Sequence, residues 1–189
     1  MRTVAGGLLV AAARIALALR ATVVLLWLFL SCLPSLPRSA SVPQGIKPNP
    51  INQYQPHGYI NDFAGMIDSQ AQSKLGPICK DLDKKKGTQL VFVTVKSLEG
   101  LPVKEFATQL ANRWGIGYKD TNRGILVLLS RNEREFRISV GLGLESVLTD
   151  KEADHLGREM VPILRKGEYG NALLHLAQQI HDEIQRKVK

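Results

Sequence analysis

Apolar residues along this chain fall into two kinds of run. Ile125–Leu129 and Phe136–Val140 are short, bracketed by glycines, and separated by the polar turn Arg131–Glu135. Runs this short between turn residues read as strands. Gln89–Val95 is rich in β-branched residues and reads as a buried strand, and Gly58–Asn61 as a short edge strand. Other stretches repeat at helical spacing. Leu75, Ile78, Cys79 and Leu82 mark a helix capped by Asp68 or Ser69, running to about Lys86 and ended by Gly87. Pro77 falls inside it and predicts a kink or a later start. Pro102 opens a second helix through Trp114, with Phe106, Ala107 and Leu110 inward. Asp150 is expected to cap a third, carrying Leu156, Met160, Ile163 and Leu164, which Pro162 bends or ends. Leu173, Leu174, Ala177, Ile180 and Ile184 place a last helix over Asn171–Lys187.

The resulting order is β-α-β-α-β-β-α-α. Strands alternating with helices predict an α/β fold, a mixed sheet of about four strands with helices on both faces. One domain is expected, over residues 58–189. Residues 42–57 carry Pro43, Pro48, Pro50 and Pro56 among Asn and Gln, and read as an extended, mobile tether.

The first 41 residues read as a leader. They hold Arg2, Arg14, Arg20 and Arg38 but no acidic residue, with an apolar core at Thr22–Leu33. Small residues at Ser39 and Ser41 predict signal cleavage after Ser41, and a retained leader would instead be an N-terminal membrane anchor. Export, to a periplasmic or other extracytoplasmic compartment, follows in either case. Nothing after the domain reads as a second apolar span, so only the leader is expected to anchor it.

Composition changes this picture little. The net charge is +8, but taking the four leader arginines from the 25 basic residues leaves 21 against 17 acidic ones. No basic run interleaved with aromatics supports nucleic-acid binding, and a monomer is expected. After cleavage only Cys79 remains, in an apolar helical stripe that favours packing over reactivity.

Candidate chemistry gathers at element ends. Asp120, Thr121 and Asn122 precede one glycine-bracketed strand, and Glu145 and Asp150 follow the other. Antiparallel pairing would bring those oxygens to one edge, with Asp62 as a further donor beside the Ala64-Gly65 turn. Hard cations such as calcium take several such oxygens. The same residues also read as turn caps (Asp62, Asp150), a turn residue (Asn122) and an exposed carboxylate (Glu145). Arg123, Arg131, Arg134 and Arg137 lie near the same edge, where guanidinium groups would suit phosphate or simply form a solvated basic face. No Ser or Cys has an evident base partner, and His155, His175 and His181 lack zinc-site spacing.

Several short pieces follow one another along the chain in a fixed order: Asn61-Asp62-Phe63-Ala64-Gly65, Thr88–Thr94, Trp114-Gly115-Ile116-Gly117, Asn122–Leu126, Arg137–Glu145 and Leu148-Thr149-Asp150, with Pro162 and Gly167-Glu168-Tyr169. Taken together they resemble the TPM domain, a family named after a thylakoid-lumen phosphoprotein, a photosystem II repair protein and a modulator of levamisole receptors. The resemblance covers about Ile60 to Ile184. It implies a Rossmann-like three-layer α/β/α sandwich, and an extracytoplasmic site beside a membrane. Some relatives bind calcium, some are acid phosphatases, and others help to maintain or assemble membrane complexes. Asp62, Asn122, Glu145 and Asp150 match positions of the family's acidic cleft. Many relatives have Asp-Asn or Asn-Asn where this chain has Asn122-Arg123, which puts a cation beside the site.

The leading expectation is an exported accessory domain serving a membrane protein or membrane-associated complex. In it, Asp62, Asn122, Glu145 and Asp150 hold calcium or another divalent cation. The alternative is a metal-assisted phosphomonoester hydrolase in which Arg123 binds the substrate.

Overall fold

The computed structural model describes residues 49–188, and the expected leader with its Ser41 cleavage point lies outside them. Four strands form one sheet in the order β1-β2-β3-β4: β1 is Ile60–Asp62, β2 Gln89–Val95, β3 Gly124–Ser130 and β4 Glu135–Val140. The first three are parallel and β4 returns antiparallel along β3, with Ile125 opposite Val140 and Ser130 opposite Glu135. Helix α1 (Ser69–Lys86) joins β1 to β2, α2 (Val103–Trp114) joins β2 to β3, and α3 (Asp150–Arg165) and α4 (Tyr169–Lys187) follow β4. The α/β/α sandwich with a four-stranded mixed sheet is therefore the architecture.

Both central strands are nearly continuous apolar runs because both of their faces are covered. On one face Leu90, Phe92, Ile125, Val127, Leu129 and Ile138 meet α1, α3 and α4 through Leu75, Cys79, Leu82, Met160, Leu176 and Ile180. On the other, Val91, Val93, Val95, Leu126 and Leu128 meet α2 through Phe106, Ala107 and Leu110. Cys79 is fully buried, and burial pushes its thiol up to about 12, so it packs rather than reacts.

Several local expectations need revising. Neither proline interrupts its helix, for α1 runs through Pro77 and α3 through Pro162. Each sits on an exposed face, and the carbonyl that each leaves without an amide, four residues back at Ser73 or Arg158, also lies on that face, within reach of water. Thr149, not Asp150, caps α3. Its hydroxyl accepts from the Glu152 N–H while the Glu152 carboxylate accepts from the Thr149 N–H. The last helix begins at Tyr169 rather than Asn171.

The tether also folds earlier than its composition suggests. Pro50–Gln53 form a 3-10 turn capped by the Asn49 side chain. That turn places Ile51 and Tyr54, three apart, on one side. Ile51 is buried and Tyr54 packs on Phe63 and Phe106, with ring centroids 4.9 and 5.9 Å away. The Trp114 indole N–H donates to the Tyr54 carbonyl at 3.3 Å. The packed domain thus includes residues assigned to the linker, because two apolar side chains at the right spacing suffice to dock it. Ile51→Ala should lower stability by about 2–5 kcal/mol in urea denaturation, whereas a free tether would leave the midpoint unchanged.

Candidate functional site

At the end of the sheet where β3 starts and β4 finishes, three backbone segments pack against one another. The amides of Thr121 and Asn122 both donate to the Tyr118 carbonyl, at 3.1 and 2.7 Å. Gly141 N–H donates to Gly124 at 2.7 Å and Gly143 N–H to Asn122 at 3.2 Å. Glycine is required for this approach. A Cβ on Gly141 would run into the Asn122 carbonyl oxygen, and one on Gly143 into that of Thr121. Asn122 itself holds a left-handed backbone, φ 50°, which asparagine tolerates better than most residues.

Beside these loops lies a cleft of about 270 Å³, walled by Thr108, Ala111 and Asn112 of α2 and by Asn122, Ser139 and Gly141-Leu142. Two large apolar side chains are exposed at this end, Leu142 at 74% and Tyr118 at 44%. Among the described residues they are the exposed large hydrophobics of the domain. The Tyr118 hydroxyl donates to Asp83 at 2.6 Å, and Tyr59 donates to the other oxygen of the same carboxylate at 2.5 Å. That hydrogen bond pushes the Tyr59 phenol up to about 12. No sequence signal links these three residues, which come from β1's approach, α1 and the loop before β3.

The expected four-residue cation site does not assemble. Asp62 pairs in register with Thr94, near the far end of β2, whereas Arg123, next to Asn122, bonds to Gln89 at its start. The five residue steps from Gln89 to Thr94 span roughly 17 Å along the strand. Asp62 is also fully occupied. Its carboxylate accepts from the Met66 and Ile67 amides, both at 2.9 Å, and from the Thr94 hydroxyl, which in turn accepts from the Ala64 amide at 3.1 Å. It ties the β1–α1 turn to β2. Asp150 pairs with Arg137 at 3.2 Å, and Arg137 reaches Asp154 at 3.4 Å. Glu145 is exposed beside the Asn122 loop. Among the described residues no three of His, Cys, Asp and Glu come together as metal ligands.

Arg123, expected to bind a substrate, has one side-chain hydrogen bond. Its guanidinium donates to the Lys86 carbonyl, at the end of α1, at 3.3 Å. The arginines expected along one edge are divided: Arg123 lies at the loop end, Arg137 is spent on acids, and Arg131 and Arg134 sit on the β3–β4 hairpin at the opposite end. His155 pairs with Glu159, and His181 with Asp81 and Asp182.

Comparison with known proteins decides the family. The model of the TPM domain matches residues 60–183. This chain belongs to the TPM domain family. The chloroplastic UPF0603 protein of Arabidopsis thaliana is 27% identical over 125 residues, covering 65% of this chain and 44% of that protein. A chloroplastic UPF0603 protein of Oryza sativa subsp. indica is 25% identical over 124 residues, covering 65% and 42%. The chain thus spans less than half the length of these curated relatives. Among solved structures, the N-terminal domain of a P. gingivalis protein superposes with a TM-score of 0.65 at 23% identity, covering 69% of this chain and 83% of that one. BA42 from Bizionia argentinensis gives 0.56 at 12%, covering 64% and 82%. Both share the fold.

Two outcomes follow from this TPM geometry. Asp62→Ala should cost about 1–3 kcal/mol of stability, and by the same amount with or without about 1 mM calcium, read from thermal or urea unfolding. The Glu152 carboxylate, held by the Thr149 amide, then by Lys187 and the Thr149 hydroxyl, is lowered from 4.5 to about 2. A depressed folded pKa means its contribution is present above about 4.5 and lost as pH falls toward 2. Glu152→Gln should therefore be less stable than wild type at neutral pH, with the gap closing across that acid range.

Proposed function

We propose that this TPM domain is an extracytoplasmic accessory module that docks onto a membrane protein or membrane-associated complex through its glycine-held loop end. The observation that carries this reading is the position of Leu142 and Tyr118. Both are exposed large side chains at that end: Leu142 lines the small polar cleft, on a turn whose glycine packing leaves little freedom to retract it, and Tyr118 lies on the loop before β3, its hydroxyl held by Asp83. Rigid aromatic and aliphatic anchors suit protein recognition. The leader-like N-terminal sequence and the chloroplastic relatives support a compartment beyond the cytoplasm. Among the described residues no helix is long and apolar enough to cross a membrane.

A hydrolase has less behind it. The carboxylates it would recruit are far apart or already hydrogen-bonded, and Arg123 is held on a helix end. Calcium enters this reading as a cation held by the Glu145 carboxylate and the Asn122 side-chain oxygen, with water completing its shell.

Photo-crosslinking in cells tests the docking surface. A probe in place of Leu142 or Tyr118 should trap a membrane protein that the same probe at Lys80, exposed on α1, does not. Equal or no adducts at all three positions would overturn the proposal.

A further inference from the structure

β4 forms an open edge of the sheet. The parallel ladder between β2 and β3 uses the odd-numbered backbone groups of β3, since Arg123 accepts from the Gln89 N–H and Arg131 donates to Val95, at 2.9 and 3.0 Å. The even-numbered groups of β3 therefore face β4, in keeping with the 2.7 Å bond from the Gly141 N–H to the Gly124 carbonyl. With Leu128 opposite Arg137 and Leu126 opposite Ser139, the odd-numbered groups of β4 are spent on β3. The N–H and C=O of Phe136, Ile138 and Val140 point the other way. Among the described residues none of these groups bonds to other backbone or to a side chain. An unpaired edge of this kind is a template for another extended chain. On the far side of the sheet β1 has three residues and offers a much shorter template.

Arg137 sets the chemistry of whatever pairs there. It stands in register with Leu128, which packs under α2, so its side chain leaves the sheet on the α2 face. Its guanidinium nevertheless ends at Asp150 and Asp154 of α3, at 3.2 and 3.4 Å. That helix packs on the other face, where a Cβ on Gly157 would meet the Phe136 ring. The arginine therefore wraps around β4 and lies across its open edge. A charge held there keeps the strand from pairing indiscriminately. The Nε of Arg137 is buried without an acceptor, and both of its carboxylate partners are largely exposed. A strand laid beside β4 must displace this side chain, and a carboxylate on that strand would receive it. Closer to the loop end, the cleft beside α2 follows β4 through Ser139, Val140, Gly141 and Leu142, and the residues lining it carry no charge. It suits the uncharged side chains of the same segment. A second copy of β4 fits poorly, because the antiparallel register that sets Glu135 opposite Arg137 pairs only Glu135, Phe136 and Arg137.

We propose that β4 takes up an extended segment of the membrane partner as a fifth strand, with an acidic residue of that segment opposite Arg137. The proposal rests on the docking reading and states what the partner inserts. Main-chain hydrogen bonds supply the affinity, and Arg137 with the uncharged cleft selects the sequence.

Photo-crosslinking in cells tests this, with benzoylphenylalanine placed in the full chain at Glu135, Ser139 or Leu142 and each adduct mapped by mass spectrometry. Adducts from Glu135 and Ser139 should fall on one segment of a membrane protein, about four residues apart, with Asp or Glu between them. Val140→Pro removes an outward N–H and should cut the Ser139 adduct at least about threefold relative to Val140→Ala. Asp150→Asn combined with Asp154→Asn releases Arg137 to the partner and should raise the Ser139 adduct roughly two- to fivefold. That pair carries the test should the proline variant lose its native circular dichroism. A Leu142 adduct without any from Glu135 or Ser139 would overturn the fifth strand and leave the docking surface standing, whereas no adduct at all three positions sinks both. Ser139 adducts to a second copy of this chain, or scattered over several segments, also refute it. So does a folded Val140→Pro protein that crosslinks as Val140→Ala does, or a double Asn variant with an unchanged yield.

Discussion

The close contact between the Asn122 loop and the Gly141–Gly143 turn governs the rest of this domain. There, backbone lies against backbone with no side chain between. The contact fixes where β4 leaves the sheet, and so where α3 begins and which residues edge the cleft beside α2. It also presents Leu142 to solvent, because the turn that follows Gly141 has no room to fold inward. Interiors packed this closely transmit a change of one methyl group. The glycines are thus part of the recognition surface without any side chain to touch a partner.

The two ends of the sheet are built differently, and the difference is electrostatic as well as steric. At the loop end, several charges are held within the domain. Asp83 holds two tyrosine hydroxyls, Asp150 holds Arg137, and Arg123 holds a helix terminus. What remains available is apolar surface and the polar rim of a small cleft. At the hairpin end, carboxylates are drawn away from the cations. Asp62 is committed to backbone amides and Thr94, and Glu133 to Ser97, Ser130 and Leu98. The arginines of the hairpin then share a cleft with further cations from α3. One fold therefore offers two chemically distinct surfaces, separated by the length of the strands.

Much of the architecture was legible before any coordinates. Strand runs, helix stripes and glycine stops placed nearly every element, since each reports a local periodicity or a backbone requirement. The order of elements was enough to imply a covered, mixed sheet. Errors fell where a local rule met a tertiary fact. Pro77 and Pro162 looked like breaks, but exposure of the freed carbonyls makes them tolerable. Residues 49–57 looked like linker, but Ile51 and Tyr54 found an aromatic pocket that only the folded α2 and Phe63 create.

The candidate site shows the same division more sharply. Sequence by itself determined which residues lie at strand ends and that Asn122 and Glu145 share an end, because antiparallel β3 and β4 must meet at their connection. It did not determine that β1 reaches the sheet at the far end of β2. That register depends on the parallel crossover through α1, a non-local pairing set by how the helix packs rather than by any nearby residue. Only the tertiary structure separated Asp62 from the other oxygens and gave it backbone amides instead of an ion. It alone set the hairpin arginines beside the end of α3, thirty residues further along the chain, because convergence across such a distance is a property of packing and leaves no mark in spacing.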